Sequence, residues 1–360
     1  MSEYADQQSR GDIRVESPWL TAASRALREH RLIFALVAVY AIGATALAWS
    51  TGSQEPASLL LQLLMRLKIL VNCVLFYVVA VDVSGAIRAA PSAPLGELIG
   101  RLRARLSPDI VAPIAIILAL VLFLSSFTTA KTMLTLYSGF AWDQRLADFD
   151  AWLHGGVDPW RWLLPLMGHH AVTRFVQFCY LPVWLALTAG APLWAALTPR
   201  LEGRRGRFLM TYLLTWVLLG NLIAGAFMSA GPVYFGQVTG SFERFKPLIE
   251  YHAFSTGAAN SSYDLQRWLW FLHSSGRAEV GTGISAFPSL HVAMATLFAI
   301  LGSLIGRRAF AIALAFLVLI LAASVHLGWH YAVDGYASII LTVGIWFALK
   351  PLDARERPKT

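Results

Sequence analysis

Eight long apolar runs constrain this chain more than any other feature of its sequence. Each approaches the roughly 20 apolar residues that a helix needs to cross a hydrocarbon core of about 30 Å. The predicted spans are 32–50, 67–86, 110–128, 171–197, 208–228, 287–305, 309–326 and 331–349. Because lipid offers no partners for backbone N–H and C=O groups, such runs fold as helices. We therefore predict an all-α polytopic membrane protein with about eight transmembrane helices.

The composition supports a membrane protein. Hydrophobic residues make up 57% of the chain and charged residues only 14%, whereas soluble domains carry roughly 25% charged residues. The net charge of +8 is then a topology signal, and no nucleic-acid partner is expected. The polar, arginine-containing segment 1–31 predicts no removable signal peptide. Cys73 and Cys179 lie in apolar runs, which argues against a disulfide framework or a cysteine metal site.

Lys and Arg residues are concentrated in alternate connections between the spans. Five connections carry 19 of them, and the other four, although longer in total, carry seven. The basic connections are 1–31, 85–109, 198–207, 306–308 and 350–360. The positive-inside rule puts these connections, and so both termini, in the cytoplasm. The long connections 129–170 and 229–286 are then extracytoplasmic, which means periplasmic, at an inner membrane, if the host is a bacterium.

The first long connection contains the stretch FAWDQRLADFDAWLHGGVDPWRWLLPLMG (140–168). Its aromatic and leucine residues recur at helical spacing between acidic positions, which predicts helices that lie along the membrane interface. Three aspartates are expected to cap or solvate these helices: Asp148, Asp150 and Asp158. The isolated histidines are predicted to be interfacial side chains: His154, His169, His170, His252 and His273.

The stretch GISAFPSLHVAMATL (283–297) opens an apolar run with polar residues. Pro288 is expected in the first turn of a helix, where its missing N–H costs nothing. The following amides and the helix dipole would form an anion site, to which Ser289 adds a hydroxyl. His291 would lie close enough to exchange a proton with a bound group. The glycines of the approach, 280–285, would let the backbone come near a phosphate.

A second stretch, SVHLGWHYAVDGYAS (324–338), places His330 four residues before Asp334. On a helix the two share one face, so the carboxylate can hold one imidazole N–H and leave the other nitrogen as a nucleophile. Ionisable residues at the edge of a membrane are costly, which favours a functional role. Two histidines and a carboxylate suit phosphoryl transfer, in which one imidazole attacks phosphorus and the other protonates the departing alkoxide.

Two stretches, AFPSLHVA and GWHYAVDGY, resemble the second and third signature motifs of the type 2 phosphatidic acid phosphatase superfamily. Their amino-acid sequences are closest to the motifs of the inositol phosphorylceramide synthase branch. The resemblance covers about residues 110–350 and implies a six-helix catalytic core. Segment 1–109 would be a cytoplasmic tail with two extra spans, and 351–360 a cytoplasmic tail. The resemblance further implies that His330 is the nucleophile that forms a phosphohistidine and that Asp334 is its partner. It implies His291 as the general acid and base and Ser289 as a phosphate ligand, and a reaction that needs no metal or cofactor.

Two arginine positions of the family pattern differ in this chain. The arginine of the third motif falls at Ser324, and Lys131 is not followed by the Arg-Pro of the first motif. Other basic residues on the extracytoplasmic side would then meet the phosphate charge. The candidates are Lys131, Arg244, Lys246, Arg277 and His326.

Several functions remain open at this point. A lipid phosphatase would pass the phosphoryl group of a phospholipid or polyprenyl phosphate to water, and a headgroup transferase would pass it to an alcohol. A zinc-dependent membrane hydrolase is a further alternative, since His326 and His330 have the i, i+4 spacing of metal ligands, although HE-x2-H is absent. A lipid transporter is the last, although no inverted repeat is visible. Neither the lipid nor the oligomeric state follows from the sequence.

Overall fold

The computed structural model describes residues 17–50, 55–255, 261–277 and 283–353, and these ranges contain helices and turns but no strand. The α-helices of the first half are α1 (Pro18–Glu29), α2 (Arg31–Ser50), α3 (Glu55–Tyr77), α4 (Ser84–Ala89), α5 (Pro94–Arg105), α6 (Val111–Tyr137), α7 (Asp143–Leu153), α8 (Trp160–Met167) and α9 (His170–Phe178). Those of the second half are α10 (Trp184–Leu197), α11 (Arg205–Val217), α12 (Ala224–Ala226), α13 (Phe235–Thr239), α14 (Lys246–Ser255), α15 (Ser262–Ser274), α16 (Leu290–Ile305), α17 (Arg307–His326) and α18 (Ala332–Ala348). The predicted all-α class is confirmed.

Within the described residues, six continuous helices are long and apolar enough to cross a membrane, so the protein is an integral membrane protein. They run over Arg31–Ser50, Leu59–Ala89, Pro108–Thr135, His170–Leu197, Arg205–Ala226 and Arg307–His326. Three of them contain a π-helical segment that continues the helix, at Val78–Val83, Cys179–Val183 and Leu218–Ile223. The other two predicted spans correspond to α16 and α18, which are apolar but shorter, with 16 and 17 residues.

The starts of α16 and α18 are fixed by polar caps. Ser289 is the N-cap of α16, and its Oγ accepts a hydrogen bond of 3.4 Å from the Val292 N–H. Pro288 therefore precedes the helix, and its expected place in the first turn was wrong. Asp334 lies at the third position of α18 and accepts a hydrogen bond of 3.0 Å from the Tyr331 N–H.

The main core lies between the long helices and includes residues of α2, α6, α11, α16 and α18. α16 and α17 form the closest pair, because a glycine lets their backbones approach. A Cβ at Gly302 would lie 2.8 Å from the carbonyl oxygen of Ala309, so small residues are required at this crossing. α2 and α3 pack against α6. The proposed division of the chain at residue 110 stays a prediction.

A layer of short helices, α7, α8, α13 and α14, covers the end of the bundle at which α18 begins. We call this layer the cap. The stretch 140–168 contributes α7 and α8 to it. Its apolar core joins the cap to the ends of α17 and α18 and consists of Leu146, Ala147, Trp160, Phe235, Phe245, Leu248, Val325, Tyr331, Ala332 and Val333. The non-helical segments that precede α16 and α18 are thus covered by the cap.

Candidate active site

Three segments that lie outside the α-helices, 229–233, 283–289 and 327–331, meet beneath the cap. The Ala286 N–H donates to the Ser229 carbonyl oxygen at 2.8 Å. Gly231 has φ +97°, and a Cβ there would lie 2.5 Å from the Trp329 carbonyl oxygen. Only glycine therefore fits this approach. The backbone of these segments forms a fixed frame that orients the histidine motifs.

His330 is buried within this frame, and its ring atom Nδ1 contacts two oxygen atoms. Nδ1 is 2.7 Å from the carbonyl oxygen of Ala286 and 3.4 Å from Oδ2 of Asp334. Because a carbonyl only accepts hydrogen bonds, Nδ1 carries the proton and Nε2 keeps its lone pair. The sequence predicted the carboxylate as the orienting group; the carbonyl of Ala286, which is the closer of the two, was missed.

Asp334 is fully buried. Its Oδ2 accepts the Tyr331 N–H and lies near His330, whereas its Oδ1 accepts no hydrogen bond from the described residues. The backbone carbonyl of Asp334 accepts a hydrogen bond of 3.3 Å from the Ser289 N–H. This bond ties the start of α16 to the first turn of α18, and so links the two motifs directly.

His291 lies between two aromatic rings. Its ring centroid is 4.0 Å from that of Tyr180 and 4.0 Å from that of Trp184, and the Trp184 Nε1–H donates to the His291 carbonyl oxygen at 3.0 Å. The ring centroids of His291 and His330 are 6.2 Å apart. One small group can therefore contact both imidazoles. Cation–π attraction to the aromatic faces offsets part of the cost of charging the buried His291 ring.

A cavity of about 280 Å³ adjoins both histidines. Its apolar walls include Phe127, Leu181, Trp184, Trp216, Leu265, Leu269 and Leu290. Its polar lining residues are Lys131, Tyr180, Ser285, His291, Trp329 and His330. Lys131 Nζ donates to the Gly220 carbonyl oxygen at 2.8 Å, and among the described lining residues no second Lys or Arg is present. The cavity combines two imidazoles and one ammonium group with hydrophobic walls, which suits the phosphate end of a lipid.

Of the other phosphate candidates, none lines this cavity. Ser289 is the N-cap residue of α16 and is fully buried. Arg244 forms ion pairs of 2.6 and 2.7 Å with Asp148 and Asp158, and so holds the cap together. Lys246 lies near Glu243 at 3.4 Å on the exposed surface. Arg277 is exposed.

His326 faces a different group of residues from His330, although the two are four positions apart. Its Nε2 lies 3.0 Å from the Thr173 hydroxyl. Ser324, at the position of the family arginine, is buried and donates its hydroxyl proton to the Leu321 carbonyl oxygen. Within the described ranges, no three His, Cys, Asp or Glu side chains form a group that could hold a metal ion. Residues 280–282 of the glycine-containing approach lie outside the described residues.

Two buried aspartates of α7 hold the frame in place, and the sequence analysis missed this function. Asp143 accepts hydrogen bonds from the amides of Ala230 and Gly231 at 2.7 and 2.8 Å, and one of 2.8 Å from the Tyr331 hydroxyl. Asp150 accepts the amides of the first two residues of α18 at 3.1 and 3.0 Å. It caps a helix, as expected, but the helix is α18 rather than its own. The sole indication of these hydrogen bonds in the sequence is that acidic residues recur within an otherwise aromatic and apolar stretch.

We expect these carboxylates to make stability depend on pH. Burial raises the pKa of Asp143 and Asp150 to about 6. A native pKa above the unfolded value contributes stability that is complete below about pH 4 and is lost as the pH rises through 6. In Asp150→Asn the loss of Tm between pH 4.5 and 7 should therefore be smaller than in the wild type, as measured by thermal unfolding in detergent.

The matched control is Asp148→Asn on the same helix. The hydrogen bond from Gln144, followed by that from Arg244, lowers the pKa of Asp148, so this exposed carboxylate is already ionised over that range. Its replacement should leave the dependence of Tm on pH between 4.5 and 7 unchanged. Equal pH slopes for Asp150→Asn and the wild type would contradict the expected titration of Asp150.

Comparison with known proteins identifies the family. No curated protein and no solved structure matches the chain significantly. The family model of the PAP2 superfamily matches residues 144–348, which include the cap helices of the first long connection and both histidine motifs. Members of this superfamily are generally phosphatases or related enzymes. Since the match covers more than half of the sequence, the chain belongs to the PAP2 superfamily, which is the type 2 phosphatidic acid phosphatase superfamily that its histidine motifs resemble.

Proposed function

We propose that the protein is a membrane lipid phosphatase or phosphotransferase that works through a phosphohistidine at His330. The observation that carries the proposal is the geometry of the two imidazoles. His330 has its proton on Nδ1, bonded to the Ala286 carbonyl oxygen, and its ring centroid lies 6.2 Å from that of His291 beside one cavity. A phosphorus atom between them would meet a nucleophile on one side and a proton donor on the other.

The reaction would have two balanced halves. The Nε2 lone pair of His330 attacks phosphorus, the P–O bond to the lipid breaks, and His291 gives its proton to the departing oxygen. His291 then takes a proton from water or an alcohol while that oxygen attacks phosphorus, and the P–N bond breaks. Asp334 and Ala286 hold the Nδ1 side of His330 in both halves. Lys131 supplies positive charge for the phosphoryl oxygens.

We place the substrate among phospholipids or polyprenyl phosphates at the extracytoplasmic face. The hydrophobic walls of the cavity support a lipid, and the distribution of Lys and Arg supports cytoplasmic termini. The same walls favour an alcohol acceptor as the alternative to water, which would make the protein a headgroup transferase like the inositol phosphorylceramide synthases that its motifs resemble. Hydrolysis and transfer share the same intermediate, and access of the acceptor to phosphorus decides between them.

Product analysis tests the proposed function. Purified protein is given lipid phosphates and phospholipids in mixed micelles, with EDTA and with or without a diacylglycerol or long-chain amino alcohol acceptor. We expect turnover that EDTA leaves unchanged, and quenching in alkaline detergent should trap an acid-labile, base-stable phosphoryl group on the protein. Free phosphate would identify a phosphatase, and a new phosphodiester lipid a transferase. Activity that EDTA abolishes would contradict the proposal and favour the zinc hydrolase.

A further inference from the structure

Four buried hydrogen-bond donors on the wall of the catalytic cavity have no partner among the described residues. They are the Tyr180 hydroxyl, the Ser285 hydroxyl and the indole N–H groups of Trp216 and Trp329. The Trp216 ring packs on Phe127, whereas the other three residues belong to the two histidine motifs or stack on them. A buried donor without a partner is costly, so several such donors on one small cavity indicate that the cavity is built for a ligand with several acceptor oxygens.

Trp329, Ser285 and Tyr180 are each connected to one of the two imidazoles, either through neighbouring residues in the chain or through ring stacking. Trp329 directly precedes His330. Ser285 directly precedes Ala286, whose carbonyl oxygen holds His330 Nδ1 at 2.7 Å. Tyr180 stacks on His291 with ring centroids 4.0 Å apart and an interplanar angle of 10°. The donors are therefore fixed by the same contacts that fix the two imidazoles.

The charge of the cavity gives a reason for neutral donors. Among the described lining residues Lys131 is the lone Lys or Arg, and most of the wall is apolar. Burying a guanidinium in such a wall carries a large desolvation cost before any ligand is bound. Hydroxyl and indole N–H groups can bind phosphoryl oxygens with a much smaller desolvation cost. Ser324, which is buried where the family motif has arginine, removes one guanidinium from this region.

We propose that Tyr180, Ser285 and Trp329 bind the phosphoryl oxygens of the substrate, and together with Lys131 perform the charge-stabilising function that arginines perform elsewhere. The assignment rests on the proposed function for the identity of the reaction. The ligand class itself, a tetrahedral or trigonal-bipyramidal oxyanion, follows from the donors and the ammonium group. Donors of this kind are most effective when they are oriented before charge develops on the oxygens.

The test uses orthovanadate, a phosphoryl mimic that requires no knowledge of the lipid. Its binding to the purified full-length protein is measured by isothermal titration calorimetry and by the rise in Tm. The variants Tyr180→Phe, Ser285→Ala and Trp329→Phe each remove one donor. The first two nearly preserve side-chain shape, and the third keeps an aromatic ring of smaller size. We expect each to weaken vanadate binding by about tenfold, and the triple variant to weaken it by more than a hundredfold.

Identical substitutions outside the cavity serve as controls: Tyr263→Phe, Ser303→Ala and Trp152→Phe. They should bind vanadate as the wild type does. Vanadate binding that is unchanged in the three cavity variants, or absent in the wild type, would overturn the assignment of the donors. Failure of the proposed function gives a different result, because the protein would then bind vanadate through these donors without turning over any lipid in a way that depends on His330.

Discussion

His330→Ala is expected to reduce turnover of a lipid phosphoester by about 10⁴-fold or more, since it removes the only atom that would bond to phosphorus. The acid-labile phosphoryl group on the protein should disappear at the same time. Product formation by the wild type and the variant is measured with the same micellar substrate and the same concentration of folded protein. His169→Ala, which changes an exposed histidine outside the cavity, should keep wild-type activity.

A second substitution separates chemistry from folding. The alanine substitution also removes the hydrogen bond of 2.7 Å from His330 Nδ1 to the Ala286 carbonyl oxygen. Part of the loss of activity would then come from a disturbed backbone frame. His330→Asn places an amide N–H near the position of Nδ1–H and preserves this hydrogen bond, but offers no nucleophile. We expect a Tm closer to the wild type than that of the alanine variant and no measurable turnover. Substantial activity in a well-folded His330→Asn protein would refute the assignment of the nucleophile.

His291→Phe is expected to lower turnover of an alkyl phosphoester by about 10²–10⁴-fold, the range typical of a lost general acid. Phenylalanine keeps the stacking on Tyr180 and Trp184 and removes only the ability to transfer a proton. A p-nitrophenyl phosphoester has a leaving group that needs no proton. With this ester the first half-reaction should be nearly as fast as in the wild type, and the second should be slow.

The expected signature is a burst of p-nitrophenolate that equals the concentration of enzyme and is followed by a slow steady state. Stopped-flow absorbance measures both phases. The wild type should show no such separation if release of the phosphoryl group is fast. An equal loss of activity on alkyl and p-nitrophenyl esters, without a burst, would mean that His291 contributes to binding or to the orientation of His330 and transfers no proton.

The sequence predicted those parts of the molecule that depend on local patterns. Runs of apolar residues identify the membrane helices, because this signal lies within one segment of chain. The spacing of His330 and Asp334 correctly predicted that their side chains lie close together, but the predicted shared helix face was wrong, since His330 precedes the start of α18. The predicted span 287–305 begins three residues before α16, because the side chain of Ser289 caps the helix and Pro288 therefore precedes it.

Other parts of the site depend on contacts between distant segments, which no local pattern encodes. The acceptor for His330 is the backbone of Ala286, 44 residues earlier in the chain. Asp150 caps a helix that begins 182 residues later. Arg244 looked like a phosphate ligand because it is basic and lies in the right connection, but the fold commits it to Asp148 and Asp158. Side-chain identity alone does not distinguish these uses.

The lengths of α16 and α18 affect how the enzyme could be divided or shortened. At 1.5 Å per residue, helices of 16 and 17 residues rise about 24–26 Å, which is less than the hydrocarbon thickness of about 30 Å. If α16 and α18 span the bilayer, the irregular segments 283–289 and 327–331 that precede them come near the hydrocarbon, where exposed backbone amides cannot be left in contact with lipid. The cap shields them. Asp143 binds the Tyr331 hydroxyl, and Asp150 binds the amides of Ala332 and Val333, which directly follow the second segment. Cap and bundle are thus a single folding unit, and a minimal enzyme that kept the helices but lacked residues 140–168 would lose the fold of its own active site.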